Sequence, residues 1–160
     1  MAPEVSWIRS LRESSGCFDR VSQSDYLCNR LHGISSFMPM TQTRIAFIGG
    51  GNMARSLIAG LIADDYDPAG LRVCDPDREK REQLASNFGV PVNEQAAEAV
   101  TDAEVIVLCV KPQVAADACR ELAALLHTPH PLLISVMAGV REATIIGWLG
   151  SSVPLVRAMP

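Results

Sequence analysis

A glycine-rich turn in the first third of the chain has the composition of a phosphate-binding loop. Residues 49–51 are three glycines, and Ala54 completes the spacing Gly-x-Gly-x-x-Ala. Gly49 permits a tight turn, Gly51 lets a pyrophosphate approach the backbone without meeting a Cβ, and Ala54 allows close helix–strand packing. The first amides of a helix lack acceptors within it and lie at its positive end, so they favour an anion. The pattern predicts cofactor contacts from Gly49, Gly50, Gly51, Asn52, Met53 and Ala54.

The surroundings of the turn decide whether this pattern is informative. An apolar run, Ile45 to Ile48, precedes the glycines, and apolar residues at helical spacing follow Asn52. A glycine fingerprint indicates dinucleotide binding when it lies between a strand and a helix. The alternative is an ordinary glycine turn.

Asp75 is a second candidate, 21 residues after Ala54, at the end of the second predicted strand. A carboxylate there can accept hydrogen bonds from a ribose diol and would repel a 2′-phosphate. Arg78 could instead reach a phosphate, so both NADPH and NADH remain open. The alternative is that Asp75 only begins the Asp-Pro turn.

Two further loops follow predicted strands and supply the remaining candidates. Val110, Lys111 and Pro112 end the fourth strand, and Ala138 and Gly139 follow the fifth. Ligands of open α/β sheets bind beside the carboxyl ends of such strands. The alternatives are a simple strand terminator with a solvated Lys111 and a simple turn glycine.

From Thr43 onward, short apolar runs alternate with amphipathic segments. This order predicts a Rossmann-like α/β fold, a doubly wound parallel sheet with helices on both faces and strand order 3-2-1-4-5-6. The predicted strands are 44–48, 71–74, 90–92, 104–110, 131–136 and 153–156, and the predicted helices are 52–64, 78–88, 94–100, 113–126 and 141–149.

Composition separates an extension from a domain. Residues 1–39 are serine-rich without a sustained period and lack a signal-peptide pattern, so we expect a flexible extension, with the natural start at Met38 or Met40. Residues 40–160 form the predicted NAD(P)-binding domain. The segment 122–140 is uncharged, but its prolines favour a helix end, a turn and a buried strand over a membrane span.

Charge and cysteine usage exclude several classes of protein. A net charge of −4 and scattered basic residues argue against nucleic acid as a partner. The five cysteines form no Cys-x-x-Cys pair, so no metal site is predicted and a reducing compartment is favoured. Cys109 is expected to be a small buried apolar group, and His32, His127 and His130 to be surface residues.

Five segments together resemble Δ1-pyrroline-5-carboxylate reductase. They are Phe-Ile-Gly-Gly-Gly-Asn-Met-Ala at 47–54, Asp-Pro-Asp at 75–77, Val-Leu-Cys-Val-Lys-Pro-Gln at 107–113, Leu-Ile-Ser-Val-Met-Ala-Gly-Val at 133–140 and Val-Arg-Ala-Met-Pro at 156–160. The resemblance implies a cytoplasmic, homo-oligomeric enzyme of proline biosynthesis. That enzyme reduces a cyclic imine, pyrroline-5-carboxylate, to L-proline by hydride transfer from C4 of NADPH or NADH.

This sequence differs from the family it resembles in two respects. An Asp-Asn pair of the family falls on Gln95-Ala96 here, so an adenosine-side contact would be lost. The family's C-terminal helical domain, which makes the dimer and binds the substrate, is absent from the 160 residues, and no acid for the imine nitrogen is evident. We therefore expect no catalytic residue here, cofactor binding with little reductase activity, and substrate binding only if that domain is supplied.

Two other functions remain open. One is a non-catalytic nucleotide-binding module. The other is an NAD(P)-dependent enzyme similar to β-hydroxyacid dehydrogenases, against which the Val-Lys-Pro-Gln segment discriminates.

Overall fold

The structure is a computed structural model and describes residues 42–126 and 131–159. These residues belong to the unit Thr41–Pro160. Some of the predictions concern residues outside the described ranges: the extension over 1–39, the starts at Met38 and Met40, the three histidines and Pro160. The domain boundary at residue 40 stays a prediction.

The described residues form one six-stranded sheet in which all neighbouring strands are parallel. The strand order is β3-β2-β1-β4-β5-β6, which confirms the predicted order. In chain order the elements are β1 (Ile45–Ile48), α1 (Asn52–Ala63), β2 (Leu71–Cys74), α2 (Arg78–Phe88), β3 (Val92–Asn93), α3 (Ala96–Val100), β4 (Val105–Leu108), α4 (Ala115–Ala123), β5 (Leu132–Ser135), α5 (Glu142–Leu149) and β6 (Leu155–Arg157).

The sheet is covered by helices on both faces. On one face Phe47 and Val107 pack in a cluster with Ala54 and Ile58 of α1 and Leu84 of α2. The alternate strand residues face a second cluster that α3, α4 and α5 complete, with Ile48, Ile106, Leu108, Leu122 and Ile145 among its members. Successive strand residues point to opposite faces, so a strand buried on both sides must be apolar throughout. This explains the continuous apolar runs.

Several predicted boundaries differ from the structure, including the start of β3 at Val92 rather than at residue 90 and the start of α3 at Ala96 rather than at residue 94. β4 ends at Leu108 rather than at residue 110, and one more hydrogen bond to β1 follows it, from the Cys109 amide to the Ile48 carbonyl at 2.8 Å. The predicted helix over 113–126 starts as a 3₁₀ turn at Pro112–Val114 and ends at Ala123. β6 begins at Leu155, after Pro154, which has no amide to donate and instead accepts from the Leu133 amide at 2.8 Å.

Helix α2 shows how local sequence sets an element's ends. The Asp77 carboxylate accepts hydrogen bonds from the amides of Glu79 and Lys80, so Asp77 caps the first turn. Gly89 ends the helix in the left-handed conformation, with φ 66°. Both boundaries agree with the prediction for residues 78–88.

The uncharged segment 122–140 contains a helix end and a strand, as predicted. It contains the end of α4 and the strand β5, and residues 127–130 between them lie outside the described residues. Among the residues that the structure describes, no helix combines the length and apolarity that a membrane crossing requires.

Candidate functional site

The reversal of strand order places three loops at one edge of the sheet. From β1 the chain continues to β2 on one side, whereas β4 and β5 lie on the other. Ile48 pairs with Leu108, and Leu108 pairs with Ser135, so β1, β4 and β5 end at the same level. In open α/β sheets this switch point forms a crevice outside the carboxyl ends of the strands. The glycine turn, Val110–Pro112 and Ala138–Gly139 therefore share one edge.

Gly49 is fixed by the backbone of the neighbouring strands. Its amide donates to the Cys74 carbonyl at 2.8 Å, and its φ is +100°, a conformation that residues with a Cβ rarely adopt. A Cβ at this position would lie 3.0 Å from the Cys109 carbonyl carbon and oxygen and from the Val110 amide nitrogen. Backbone atoms cannot rotate away as a side chain can, so only glycine fits between β1 and β4.

Gly50 is constrained from the other side of the turn. Its amide donates to Asp75 Oδ2 at 2.8 Å. An added Cβ would lie 2.8 Å from Leu84 Cδ1 and 3.3 Å from Asp75 Cβ. Both neighbours are buried. The glycine at position 50 is therefore explained by packing within the protein.

Gly51 differs, because no contact among the described residues requires a glycine there. Its φ of −72° is open to any residue, and an added Cβ would meet no atom of residues 42–126 or 131–159 within 4 Å. It is the N-cap of α1, without a side-chain hydrogen bond to the first turn, and that turn holds no acidic residue. Serine, threonine, aspartate or asparagine would cap this helix better. The open space and the uncapped amides are the features that an approaching anion needs.

The other residues predicted to contact the cofactor lie in the first turn of α1, and they differ in exposure. Asn52 and Met53 are exposed beside the uncapped amides. Ala54 is fully buried and packs with Phe47 and Val107, so the small side chain brings α1 close to the sheet. The helix thus presents its positive end at the carboxyl edge of β1.

Asp75 lies beneath the glycine turn instead of facing outward. Its Oδ2 accepts from the Gly50 amide, and its Oδ1 accepts from the Asp77 amide at 2.9 Å. Lys80 Nζ lies 3.5 Å from the same Oδ1, and only 7% of the Asp75 side chain is exposed. Its contact with a ribose stays a prediction. The sequence pattern did not reveal the hydrogen bond to Gly50, because a backbone donor leaves no residue-type signal.

Basic side chains surround the turn after β2. Arg81 Nη1 donates to the carbonyls of Asp75 and Pro76, both at 2.8 Å, and Arg81 Nη2 pairs with Glu94 at 3.1 Å. Arg78 is 82% exposed and pairs with Glu82 at 2.7 Å. A phosphate approaching this turn would therefore meet Arg78 in a solvent-exposed pair with Glu82.

The loops after β4 and β5 hold the remaining predicted residues. Val110 is half-buried, whereas Lys111 and Pro112 are exposed, and Pro112 opens the 3₁₀ turn. Ala138 and Gly139 are exposed, and Gly139 has φ +75° with no atom within 4 Å of the position that a Cβ would occupy. The buried Ser135 hydroxyl accepts from the Met137 amide at 3.4 Å and so holds the start of this loop. Both loops leave room at the shared edge.

The thiols at this edge are not in a reactive form. Burial raises the pKa of Cys109 to about 12. Burial, followed by the charges of Glu121 and Asp75, raises the pKa of Cys74 to about 11. A nucleophile needs the thiolate, so both groups are protonated at neutral pH. They act as packing groups beside the turn.

Gln95 and Ala96 occupy the position at which the resemblance implies an Asp-Asn pair, and both belong to the local structure around α3. Gln95 precedes α3 as its N-cap without a side-chain hydrogen bond, and Ala96 is buried in the core. Ala96 therefore offers no polar group to a ligand.

Sequence comparison relates the chain to known proteins. Residues 44–139 match the family described as NADP oxidoreductase coenzyme F420-dependent. The chain is 48% identical over 121 residues to a pyrroline-5-carboxylate reductase of Pseudomonas aeruginosa, covering 76% of this chain and 44% of that protein. A Vibrio alginolyticus relative of the same name is 38% identical with the same coverage.

A solved structure of a protein with the same name is also similar to this chain. A pyrroline-5-carboxylate reductase from Coxiella burnetii has a TM-score of 0.71 at 39% identity, covering 74% of this chain and 44% of that one. The chain thus spans less than half the length of these relatives. The resemblance predicted from the five segments is confirmed for this part. The family match extends over more than half of the chain, which therefore belongs to the NADP oxidoreductase, coenzyme F420-dependent family.

Proposed function

We propose that the chain is the dinucleotide-binding part of a pyrroline-5-carboxylate reductase and binds NADPH or NADH at the carboxyl edge of β1, β4 and β5. The observation that carries the proposal is Gly51. Its backbone would accept any residue and its Cβ direction is empty, yet it lies beside uncapped helix amides. A pyrophosphate needs that space and those donors together.

Three segments of the chain would contact the cofactor. Gly49–Ala54 would bind the pyrophosphate through backbone amides, with the partial positive charge of α1 behind them. Val110–Pro112 and Ala138–Gly139 would border the nicotinamide, because they follow the two strands on the far side of the switch point. Asp75 and Arg78 lie on the adenosine side, after β2.

The hydride for the reduction is supplied by the bound nicotinamide. The residues of this chain would orient that ring and exclude water from one of its faces. We assign the substrate carboxylate site, the acid for the imine nitrogen and the oligomer interface to the part of the relatives that this chain does not span. The proposed setting is proline biosynthesis in the cytoplasm.

A binding measurement tests the cofactor part of the proposal. In calorimetric titrations of the 160-residue chain, NADPH or NADH should bind at one site, and ATP should bind at least tenfold more weakly because it cannot fill the nicotinamide side. Equal binding of ATP would favour a non-catalytic nucleotide-binding module. Binding of none of the three would contradict the proposal.

An activity measurement tests the substrate part. The chain alone should turn over pyrroline-5-carboxylate with NADPH negligibly. Fusion to the residues of the Pseudomonas aeruginosa relative that lie beyond the matched region should produce proline, and that region alone is the control. Full activity of the unfused chain would refute the assignment of substrate groups to the other part. Turnover of a β-hydroxyacid by the fusion would favour that class of dehydrogenase.

A further inference from the structure

The Asp75 carboxylate accepts hydrogen bonds from two backbone amides that belong to different parts of the fold. Oδ2 accepts from Gly50 in the glycine turn, and Oδ1 accepts from Asp77 at the start of α2. These contacts connect the ends of β1 and β2 across 25 residues of sequence. Hydrogen bonds to an ionised and largely buried acceptor are among the stronger ones in proteins.

The environment of Asp75 opposes a role in binding a ribose diol. A residue that binds the diol must present a free acceptor to the crevice. Here the side chain is 7% exposed, and the Lys80 ammonium lies 3.5 Å from Oδ1. Leu84 lies close to the same turn, with Cδ1 2.8 Å from a Cβ placed on Gly50. The carboxylate is therefore enclosed from the side of α2 and faces the turn.

Gly50 stands between the two residues that matter for phosphate binding. Gly49 is held by the hydrogen bond from its amide to the Cys74 carbonyl, and the Gly51 carbonyl accepts from the Arg55 amide at 3.0 Å within the first turn of α1. The hydrogen bond from Gly50 to Asp75 is thus the contact immediately before the uncapped amides of α1. Holding binding groups in place before the ligand arrives raises affinity because less order is lost on binding.

We propose that Asp75 is a positioning residue, which sets the glycine turn through Gly50 and does not select between the two cofactors at the ribose. The inference rests on the proposed function, since it concerns the same loop. It predicts that Asp75 contributes to the binding of NADPH and of NADH by the same factor. A residue that binds the diol would instead favour NADH and disfavour the 2′-phosphate of NADPH.

The test is the ratio of the two dissociation constants in Asp75→Asn. Gly50 and Asp77 donate to different oxygens of Asp75, and asparagine replaces one of these oxygens by an NH₂ group, so in this orientation it loses one of the two hydrogen bonds. Both dinucleotides should bind roughly 10- to 100-fold more weakly, and the NADPH-to-NADH ratio should stay within threefold. Asp117→Asn is the control, because it makes the same substitution at an exposed carboxylate that pairs with Arg120 within α4. It should change neither constant.

A second variant separates positioning from general destabilisation. Gly50→Ala pushes a Cβ against Leu84 and Asp75 and so disturbs the same contact while keeping the carboxylate. The affinity losses of Asp75→Asn and Gly50→Ala should not multiply in the double variant, because both remove one interaction. If Asp75→Asn does not fold, the ratio is measured on Gly50→Ala alone.

The outcomes separate this inference from the proposed function. A change of more than threefold in the NADPH-to-NADH ratio, in either variant, overturns the inference and leaves the proposed function intact, and so does an Asp75→Asn protein that binds both dinucleotides as tightly as the unaltered chain. Multiplicative losses in the double variant also overturn it. If the unaltered chain binds neither dinucleotide, the proposed function fails and the inference fails with it.

Discussion

Replacing Gly49 by alanine is expected to destabilise the protein by about 2–4 kcal/mol and to abolish dinucleotide binding. The φ of +100° is unfavourable for alanine, and the new Cβ would lie 3.0 Å from three backbone atoms of Cys109 and Val110. Relief requires β1 and β4 to move apart or the turn to shift. Either movement displaces the amides proposed to bind the pyrophosphate.

Chemical denaturation and calorimetric titration measure the two effects, and Gly60→Ala is the matched control. Gly60 lies within helix α1, and an added Cβ there would meet no atom within 4 Å. Alanine is favoured over glycine inside a helix, so this variant should gain about 0.5–1 kcal/mol and bind as before. A Gly49→Ala protein of unchanged stability would contradict the close approach of β1 and β4.

Replacing Gly51 by aspartate should change stability and binding in opposite directions. Aspartate suits an N-cap and the positive end of α1, and its backbone and Cβ fit without strain. The ligand-free protein should therefore gain about 0.5–1 kcal/mol. The same carboxylate would stand where a pyrophosphate is proposed, and repulsion between charges a few ångströms apart should weaken binding by roughly 100-fold or more.

Gly51→Asn separates charge from bulk in this experiment. Asparagine caps the helix about as well as aspartate but is neutral. It should stabilise the protein similarly and weaken NADPH binding by less than aspartate does. Thermal denaturation without ligand gives the first quantity, and titration gives the second. A Gly51→Asp protein that binds NADPH normally would show that the anion is held elsewhere.

The sheet and the glycine turn could be predicted because their causes are local in sequence. Continuous apolar runs such as that of Val105–Leu108 indicate strands buried on both faces, and the βα alternation then restricts the topology. The ends of α2 were predictable for the same reason, since Asp77 and Gly89 act within one turn of the helix.

The features that escaped prediction depend on contacts between distant segments. The hydrogen bond of Asp75 with the Gly50 amide, 25 residues away, could not be predicted from residue types, and the contact of Asp75 with a ribose stays a prediction. The requirement for glycine at position 50 arises from Leu84 on another helix. The requirement for glycine at position 49 likewise arises from the backbone of Cys109 and Val110, far along the chain. The reaction itself depends on groups assigned to a part of the relatives that this chain does not span.

The most direct test of the account follows backbone amides during a titration with NADPH. In two-dimensional NMR spectra of the ¹⁵N-labelled chain, the amides of Gly49–Ala54 should shift saturably, together with those of Val110 and Gly139. Gly60 and Gly147, in the helices α1 and α5, serve as internal references and should stay in place. Saturable shifts that leave Gly49–Ala54 unmoved, or no shifts at all, would contradict the claim that this turn binds the cofactor.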